Sequence, residues 1–270
     1  MMSQDRNVRH ILSLSGGKDS AALAIFMRDR IMNMEYVFCD TGKELPETYA
    51  YINKIEAYLG KPIIRLNPDY SFDHWLQVFG GFLPSPLARW CTKQLKLKPF
   101  EQHCDDDLVY SYIGIRAEED RIGYISHKPN IRPVYPFKEE GITKKDVIKI
   151  LEESGLGLPE YYKWRSRSGC YFCFFQRKVE WIKLKQTHPD LFEQAKAYEK
   201  ISNPNGKQFT WIERMPLSEI ENREDDILKK HEESLKNRVR KIPNRPLSQV
   251  FGAIDDDDDS YDSSCIICYL

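Results

Sequence analysis

The chain has 270 residues, 41% of them hydrophobic and 30% charged, which is the composition of a globular protein with a core of its own. No apolar run reaches the roughly 20 residues of a membrane-spanning helix, and the N-terminal residues lack the layout of a signal peptide. These features exclude the membrane-spanning class and lead us to expect a cytoplasmic protein without a membrane partner.

The formal net charge of −1 conceals an uneven distribution along the chain. Six aspartates, Asp255–Asp259 and Asp262, lie in the last sixteen residues, and the remainder carries a net charge of +5 without them. A mildly basic body is compatible with anionic ligands or nucleic acid, but an ordinary solvated surface is the interpretation that we favour.

Short apolar runs alternate with helical patterns through the first half of the chain. Such alternation predicts a parallel sheet with right-handed crossovers, so we expect an α/β protein with an open, doubly wound, Rossmann-like sheet of about five strands. Ligands of such sheets bind at the carboxyl ends of the strands. Strands are predicted over residues 10–15, 35–40, 62–66 and 108–115, and helices over residues 19–32 and 47–59.

The second half of the chain has a helical pattern. The segment Thr143–Asp146 resembles a capping box that opens a short helix ending at Gly155. Further helices are predicted over residues 177–187, 189–201 and 218–241. The predicted organisation is an α/β domain over residues 1–142, a smaller helical, cysteine-bearing region over residues 143–242 and a flexible acidic tail over residues 243–270.

The stretch SGGKDS lies between the first predicted strand and the first predicted helix. Backbone N–H groups converge at such a turn, and the helix dipole favours an anion there. Gly16 and Gly17 allow a phosphate to approach the backbone, and Lys18 supplies a positive charge. The hydroxyls of Ser15 and Ser20 are further donors. The spacing is too short for a Walker-type loop, so the sequence indicates either another kind of phosphate site or an unliganded turn.

Four motifs in one order resemble a known superfamily. SGGKDS resembles the PP-loop of the adenine nucleotide alpha-hydrolase superfamily, whose members hold the β,γ-pyrophosphate of ATP and cleave between the α and β phosphates. CDTGKELPETYAYI is similar to the DTG…PET segment of the phosphoadenosine phosphosulfate (PAPS) reductase family. GIRAEEDR resembles the Gly-x-Arg segment of that family, and IRPVYPFKEEGITKKDV resembles its proline-rich lead into the helix after the sheet.

The resemblance implies that the first domain binds ATP with Mg²⁺. It implies catalytic roles for Lys18, Asp19 and Arg116, which match the PP-loop and the Gly-x-Arg segment. The implied nucleotide-binding residues are Ser13, Ser15, Gly16, Gly17, Lys18, Asp19, Ser20, Asp40, Thr41, Gly42, Arg116 and Arg121.

Seven cysteines in a chain without an export signal argue against a disulfide framework and leave metal binding, redox chemistry and burial open. Cys170 and Cys173 form a C-x-x-C turn, which lets two thiolates meet one metal or one cluster; a redox pair or two buried thiols are the alternatives. With Cys91, the pair resembles the Cys-Cys…Cys-x-x-Cys pattern of iron–sulfur sulfonucleotide reductases and DNA phosphorothioation enzymes. Trp90 replaces the first cysteine of that pattern.

Three matched cysteines leave two arrangements open. The resemblance to PP-loop tRNA thiolation enzymes implies a [4Fe–4S] cluster on Cys91, Cys170 and Cys173 with one open iron; otherwise a fourth ligand completes the set. Zinc is the alternative metal, because thiolates suit both. The candidates for the fourth ligand are Cys39, Cys104, Cys265 and Cys268 for a cluster and His103 or His127 for zinc.

The acidic tail ends in a second C-x-x-C, formed by Cys265 and Cys268. One interpretation is a mobile thiol that carries sulfur or resolves a disulfide. The other is an apolar end, CIICYL, that docks on the body of the protein or on a partner.

We expect an ATP-dependent sulfurtransferase that adenylylates an acceptor and then transfers sulfur to it. The motif order is most similar to the PAPS-reductase-like subunit of DNA phosphorothioation and related phage-defence systems. This implies a DNA or other nucleic-acid acceptor, a sulfur donor such as a cysteine desulfurase, and partner subunits. One alternative is a PAPS or adenylyl-sulfate reductase that makes sulfite, although such reductases usually carry an altered loop, whereas Lys18 and Asp19 are intact. The other alternative is a nucleotide-binding subunit without turnover.

Overall fold

The computed structural model describes residues 8–120, 127–199 and 208–240. Within them the chain forms one parallel sheet of five strands in the order β3-β2-β1-β4-β5, with helices on both faces, which confirms the predicted α/β fold. The strands are β1 (Val8–Ser13), β2 (Met34–Cys39), β3 (Ile63–Leu66), β4 (Leu108–Tyr112) and β5 (Ile131–Val134).

The helices follow the strands as a doubly wound fold requires. They are α1 (Lys18–Met27), α2 (Pro46–Leu59), α3 (Phe72–Val78), α4 (Trp90–Thr92), a π-helical turn (Lys93–Leu97), α5 (Lys98–Cys104), α6 (Pro136–Glu139), α7 (Lys144–Glu153), a 3-10 turn (Glu160–Lys163), α8 (Lys178–Thr187), α9 (Pro189–Glu199), α10 (Leu217–Asn222) and α11 (Glu224–Arg240). None of the helices described here has the length and apolar character of a membrane span.

The central strand β1 divides the sheet into two halves. Leu12 of β1 pairs with Tyr36 of β2 on one side and with Tyr112 of β4 on the other. The chain builds β2 and β3 on the first side and then returns to build β4 and β5 on the second. The order therefore reverses between β1 and β4, and the loops that follow these two strands border the crevice where ligands of open sheets bind.

Alternation along the central strands fills two separate cores. Leu12 faces the layer formed by α1, α2 and α7, whereas its neighbour Ile11 faces α5, where it packs with Phe100. Because successive side chains of a strand point to opposite faces, β1 is buried on both sides. The predicted capping box at Thr143–Asp146 is confirmed, and it opens α7 against α1.

Two predicted helices have different bounds in the structure. The helix expected over residues 19–32 ends at Met27, and a turn lets Ile31 pack against the first core. The helix expected over residues 218–241 is two helices, α10 and α11, that meet at Arg223. Three acidic residues begin α11, and acidic side chains favour a helix N-terminus, which explains the new start.

A third cluster, rich in aromatic residues, lies under the C-x-x-C segment. Phe172, between the two cysteines, packs against Phe72 of α3 with ring centroids 4.3 Å apart and against Trp211 with centroids 5.0 Å apart. Aromatic rings contribute large buried areas, so Phe172 anchors the turn that carries Cys170 and Cys173.

Candidate functional site

The loop Leu14–Gly17 connects β1 to α1 at the reversal point of the sheet. Gly16 has φ +73°, and a Cβ at this position would lie 2.5 Å from Cγ2 of Thr48 at the start of α2. The carbonyl of Gly16 accepts a 2.7 Å hydrogen bond from the Tyr161 hydroxyl. Both the backbone conformation and the close approach of α2 therefore require glycine here.

The serines of the loop hold its shape. Ser20 Oγ accepts the N–H of Ser15 at 3.1 Å and donates to the Gly17 carbonyl at 3.2 Å. Ser15 Oγ accepts a 3.3 Å hydrogen bond from the Ser168 hydroxyl. Ser13 Oγ is buried and has no hydrogen-bond partner among the residues that the structure describes. The predicted hydroxyl donors Ser15 and Ser20 are thus already engaged, and Ser13 is the orphaned one.

Asp19 connects the PP-loop motif to the Gly-x-Arg segment. Its carboxylate is 2% exposed and lies 3.1 Å from Lys18 Nζ and 3.2 Å from Arg116 Nη1. Burial alone would raise the pKa of Asp19, but the charges of Lys18 and Arg116 outweigh it and hold that pKa below its ordinary value. Asp19 is therefore ionised at neutral pH and positions two cations. Arg116 is itself buried and also pairs with Glu119 at 3.2 Å.

Gly114 explains why the Gly-x-Arg segment begins with glycine. A Cβ at this position would lie 3.0 Å from the carbonyl oxygen of Asp19, which is tighter than ordinary van der Waals contact. The chain after β4 therefore packs directly on the first turn of α1, and this packing brings Arg116 to Asp19.

The loop after β2 folds around Asp40. Its Oδ1 accepts the N–H of Gly42 at 2.9 Å and the hydroxyl of Tyr49 at 2.7 Å. The next residue, Thr41, donates to Glu44 Oε1 at 2.8 Å, and its Oγ1 lies 3.4 Å from the sulfur of Cys170. The DTG segment therefore ends against the C-x-x-C turn.

The structure brings the three predicted cysteine ligands together. Cys91, Cys170 and Cys173 line one cavity of about 40 Å³, hereafter the cysteine cavity. Cys91 lies in α4, directly before the π-helical turn, and π-turns inside helices are frequent at functional sites. Burial, and next the carboxylate of Glu44, raise the pKa of the Cys170 thiol well above its usual range. The other residues around the cavity are Thr41, Pro84, Thr92, Leu95, Lys96, Gly169, Phe172, Phe174 and Phe175.

The donor set of this cavity fits an iron–sulfur cluster in its chemistry. Its only metal-binding side chains within the described part of the chain are thiols, the ligands of such clusters. No histidine lines it in that part of the chain. The described residues contain no group of three or more His, Cys, Asp or Glu side chains placed around one metal ion.

A larger cleft opens at Lys18. It has a volume of about 370 Å³, and its charged residues within the described part of the chain are basic except for Glu232. Its wall includes the first turn of α1, the segment before the C-x-x-C turn, and α7, α8 and α11. The basic residues that line this cleft are Lys18, Lys144, Lys163, Arg165, Arg177, Lys183 and His231.

Comparison with known proteins identifies the first half of the chain. The family model of the phosphoadenosine phosphosulfate reductase domain matches residues 9–131. The matched residues resemble a domain family of the PP-loop superfamily. An uncharacterized protein of Methanocaldococcus jannaschii is 30% identical over 198 residues, with 68% of this chain and 40% of that protein covered. The tRNA-specific 2-thiouridylase MnmA of Vibrio vulnificus is 24% identical over 199 residues, with 57% and 51% covered. The chain spans about half the length of these relatives.

Two solved structures resemble this chain. The PAPS reductase of Candida auris, in a phosphate complex, has a TM-score of 0.48 and 15% identity, and the match covers 62% of this chain and 82% of that one. The U34-tRNA thiolase NcsA of Methanococcus maripaludis, solved with its [4Fe-4S] cluster, has a TM-score of 0.40 and 17% identity, with 72% of each chain covered.

The other candidate ligands for the metal lie elsewhere in the structure or outside the described residues. Cys39 and Cys104 belong to the core between the sheet and α5, and burial raises the pKa of each thiol to about 12. His103 contacts Arg9 and Glu35 near the amino ends of the strands. The remaining candidate histidine, His127, lines a different groove, and three predicted residues, Arg121, Cys265 and Cys268, fall outside the described residues.

Two buried residues of the site were not predicted from the sequence. Arg165 is 1% exposed, and its guanidinium donates to the carbonyls of Gly169 at 3.2 Å and Cys170 at 2.8 Å. Glu180 is fully buried and accepts the N–H groups of Ser166 at 2.7 Å and Arg177 at 2.9 Å. The basic run RSRSGC, directly before the turn, is the sequence feature that points to Arg165. The three-residue spacing from Arg177 to Glu180 is the feature that indicates a helix start.

Proposed function

We propose that the protein is an ATP-dependent sulfurtransferase that cleaves ATP to AMP and pyrophosphate. The observation that carries this proposal is the contact of one segment with both halves of the site. Ser168 donates to Ser15 of the PP-loop at 3.3 Å, and two residues later Cys170 lies 3.4 Å from Thr41. A nucleotide held by the PP-loop and a sulfur held in the cysteine cavity would therefore be close neighbours.

The first step is adenylylation of the acceptor. An acceptor oxygen attacks the α-phosphorus of ATP, the bond to the bridging α,β-oxygen breaks, and pyrophosphate leaves with that electron pair. Negative charge develops on the leaving group, and Lys18 together with the N–H groups at the start of α1 stabilises it. Mg²⁺ would supply further positive charge for this step. Asp19 keeps Lys18 and Arg116 in place for this step.

The second step replaces the adenylyl group by sulfur. A hydrosulfide attacks the acceptor atom that carries the AMP oxygen, that bond breaks, and AMP leaves. A donor protein such as a cysteine desulfurase supplies the sulfur as a persulfide, which thiols reduce to hydrosulfide. Cys91, Cys170 and Cys173 would hold a [4Fe–4S] cluster, which supplies an iron site for a sulfur ligand; zinc is the alternative metal. Arg165 fixes the backbone of the C-x-x-C turn by donating to the carbonyl of Cys170.

The relatives support a nucleic acid as acceptor. The thiouridylase of Vibrio vulnificus is named for a tRNA substrate, and the motif order of this chain resembles that of DNA phosphorothioation enzymes. We propose that the acceptor is the DNA backbone, and that the enzyme works in the cytoplasm with partner subunits of a phage-defence system.

A second candidate function is PAPS or adenylyl-sulfate reduction, which the name of the matching family model favours. In that reaction a thiol attacks the sulfonucleotide sulfur and sulfite is released after reduction. The same cleft at Lys18 would then hold the sulfonucleotide phosphates.

Parallel assays of the anaerobically purified protein separate the two functions. One measures pyrophosphate and AMP formed from ATP in the presence of sulfide and single-stranded DNA, and the other measures sulfite formed from PAPS with a dithiol. The sulfurtransferase predicts AMP and pyrophosphate in the first assay. Sulfite in the second assay, with ATP left intact in the first, would contradict it.

A further inference from the structure

A second basic groove adjoins the cysteine cavity. It has a volume of about 440 Å³ and runs along the helical segment that carries Cys91. Thr92 lines both this groove and the cysteine cavity, so the two share a wall. Among the described residues, the charged and titratable side chains of the groove are the cations Arg89, Lys93, Lys98 and Lys128, the carboxylate Glu101, and His127.

The π-helical turn aligns two of these cations. The N–H of Lys98 donates to the carbonyl of Lys93, an i to i+5 hydrogen bond. In a regular α-helix residues five apart face about 140° away from each other, whereas a π-turn brings them toward one face. Pro99 has no N–H to donate within the helix, which accounts for the irregular turn at this place. Both lysines are exposed, and the pairing of Lys98 with Asp69 at 3.3 Å is a surface ion pair that a phosphate can replace.

An aromatic surface lies where the groove meets the cysteine cavity. The guanidinium carbons of Arg89 and Arg167 each lie 5.2 Å from the ring centroid of Phe175. Phe174 packs against Phe175 with centroids 4.5 Å apart, and both rings are half-buried. Aromatic rings combined with arginine planes are the surfaces on which unpaired bases stack.

We propose that this groove binds the backbone of a single-stranded nucleic acid and presents one nucleotide to the cysteine cavity. The inference rests on the proposed function and assigns the surface that would hold its acceptor as a single strand. The cations of the groove would bind the phosphates of the backbone. The Phe174–Phe175 pair would stack on an unpaired base, which a nucleic acid has and an acidic protein segment lacks. The cleft at Lys18 then remains for the nucleotide that is cleaved.

The test is fluorescence anisotropy of a labelled single-stranded DNA of about 12 nucleotides, with the full chain and without ATP. The double variant Lys93→Gln with Lys98→Gln should bind about tenfold more weakly, and its slope of log K against log salt should fall by about 1.4, since each lost phosphate contact removes about 0.7. The matched control is Lys54→Gln with Lys149→Gln, two exposed lysines outside both grooves, which should bind as the wild type does.

A second variant separates stacking from charge. Phe175→Leu should weaken binding about fivefold while the salt slope stays at the wild-type value, because stacking releases no counterions. An equal loss in the Lys54 and Lys149 control would overturn the proposal, as would polyglutamate of matched charge competing as well as the DNA.

The outcome also separates this inference from the proposed function. If the wild type forms pyrophosphate from ATP but the groove variants bind DNA as tightly as the wild type, the groove assignment fails alone. If DNA binds through the groove and no pyrophosphate forms under any condition, the sulfurtransferase proposal fails and the nucleic-acid groove stands.

Discussion

The two halves of the candidate site are built in different ways. The PP-loop is one contiguous stretch whose geometry comes from backbone conformation, with Gly16 at positive φ and serines that bond to the loop itself. The cysteine cavity combines a helix at residue 91 with a turn at residues 170–173, and side-chain packing of Phe172 holds the turn. We infer that the PP-loop depends on local backbone geometry, whereas the cysteine cavity depends on the packing of the whole helical region.

The largest expected effect concerns the cysteine half. Cys170→Ser should abolish bound iron and acid-labile sulfide in protein purified anaerobically, because a hydroxyl replaces a thiolate ligand. The control is Cys104→Ala, a buried cysteine in a separate core, which should keep the wild-type iron content. Undiminished iron in Cys170→Ser would exclude this cysteine as a ligand and separate the two halves of the site.

The next effect concerns the PP-loop half. Lys18→Ala should lower the rate of pyrophosphate release from ATP about 100-fold, the loss typical of removing one group that stabilises transition-state charge. Lys178→Ala is the matched control, since Lys178 also begins a helix, is exposed, and does not line the cleft. Pyrophosphate release that is equal in Lys18→Ala and wild type would remove the loop from the reaction.

A stability measurement tests the contact between the loop and the Gly-x-Arg segment. Asp19→Asn should lower the free energy of unfolding at pH 7 by about 3 kcal/mol, because it removes the buried anion that pairs with both Lys18 and Arg116. The pKa of Asp19 is held below its ordinary value, so this carboxylate stabilises the fold above about pH 4 and stops doing so as the pH falls through the lowered pKa. The difference between wild type and variant, from urea unfolding, should therefore shrink as the solution is acidified below about pH 4. A difference that grows on acidification would contradict the assignment.

The smallest effect distinguishes backbone strain from crowding at the loop. Gly16→Ala should cost about 2 kcal/mol in urea unfolding, from the positive φ and from the 2.5 Å approach to Thr48 Cγ2. Thr48→Ser removes that methyl group and keeps the hydroxyl, so the double variant should regain about half of the loss. Full recovery would show that φ contributes nothing, and no recovery would show that the methyl contact does not matter.

The contrast between local backbone geometry and long-range packing explains which parts of the site the sequence could predict. Local sequence patterns predict the PP-loop, the DTG segment and four of the strands. The structure shifts the bounds of those strands by a few residues. The fifth strand, Ile131–Val134, lies in a proline-rich stretch that gives little strand signal. Arg165 and Glu180 were missed because a buried charge acts through partners that only the folded chain brings close. A motif likewise does not reveal that the hydroxyls of Ser15 and Ser20 hydrogen-bond to each other within the loop.

The central claim is that the PP-loop and the cysteine cavity form one active site for sulfur transfer. The most direct measurement is the ratio of AMP released to ³⁵S incorporated into single-stranded DNA during one turnover of anaerobically purified protein given ATP and labelled sulfide. We predict equimolar AMP and incorporated sulfur, and loss of sulfur incorporation in both Lys18→Ala and Cys170→Ser. Incorporation of sulfur without ATP, or AMP formation with no sulfur in the acceptor, would contradict the account.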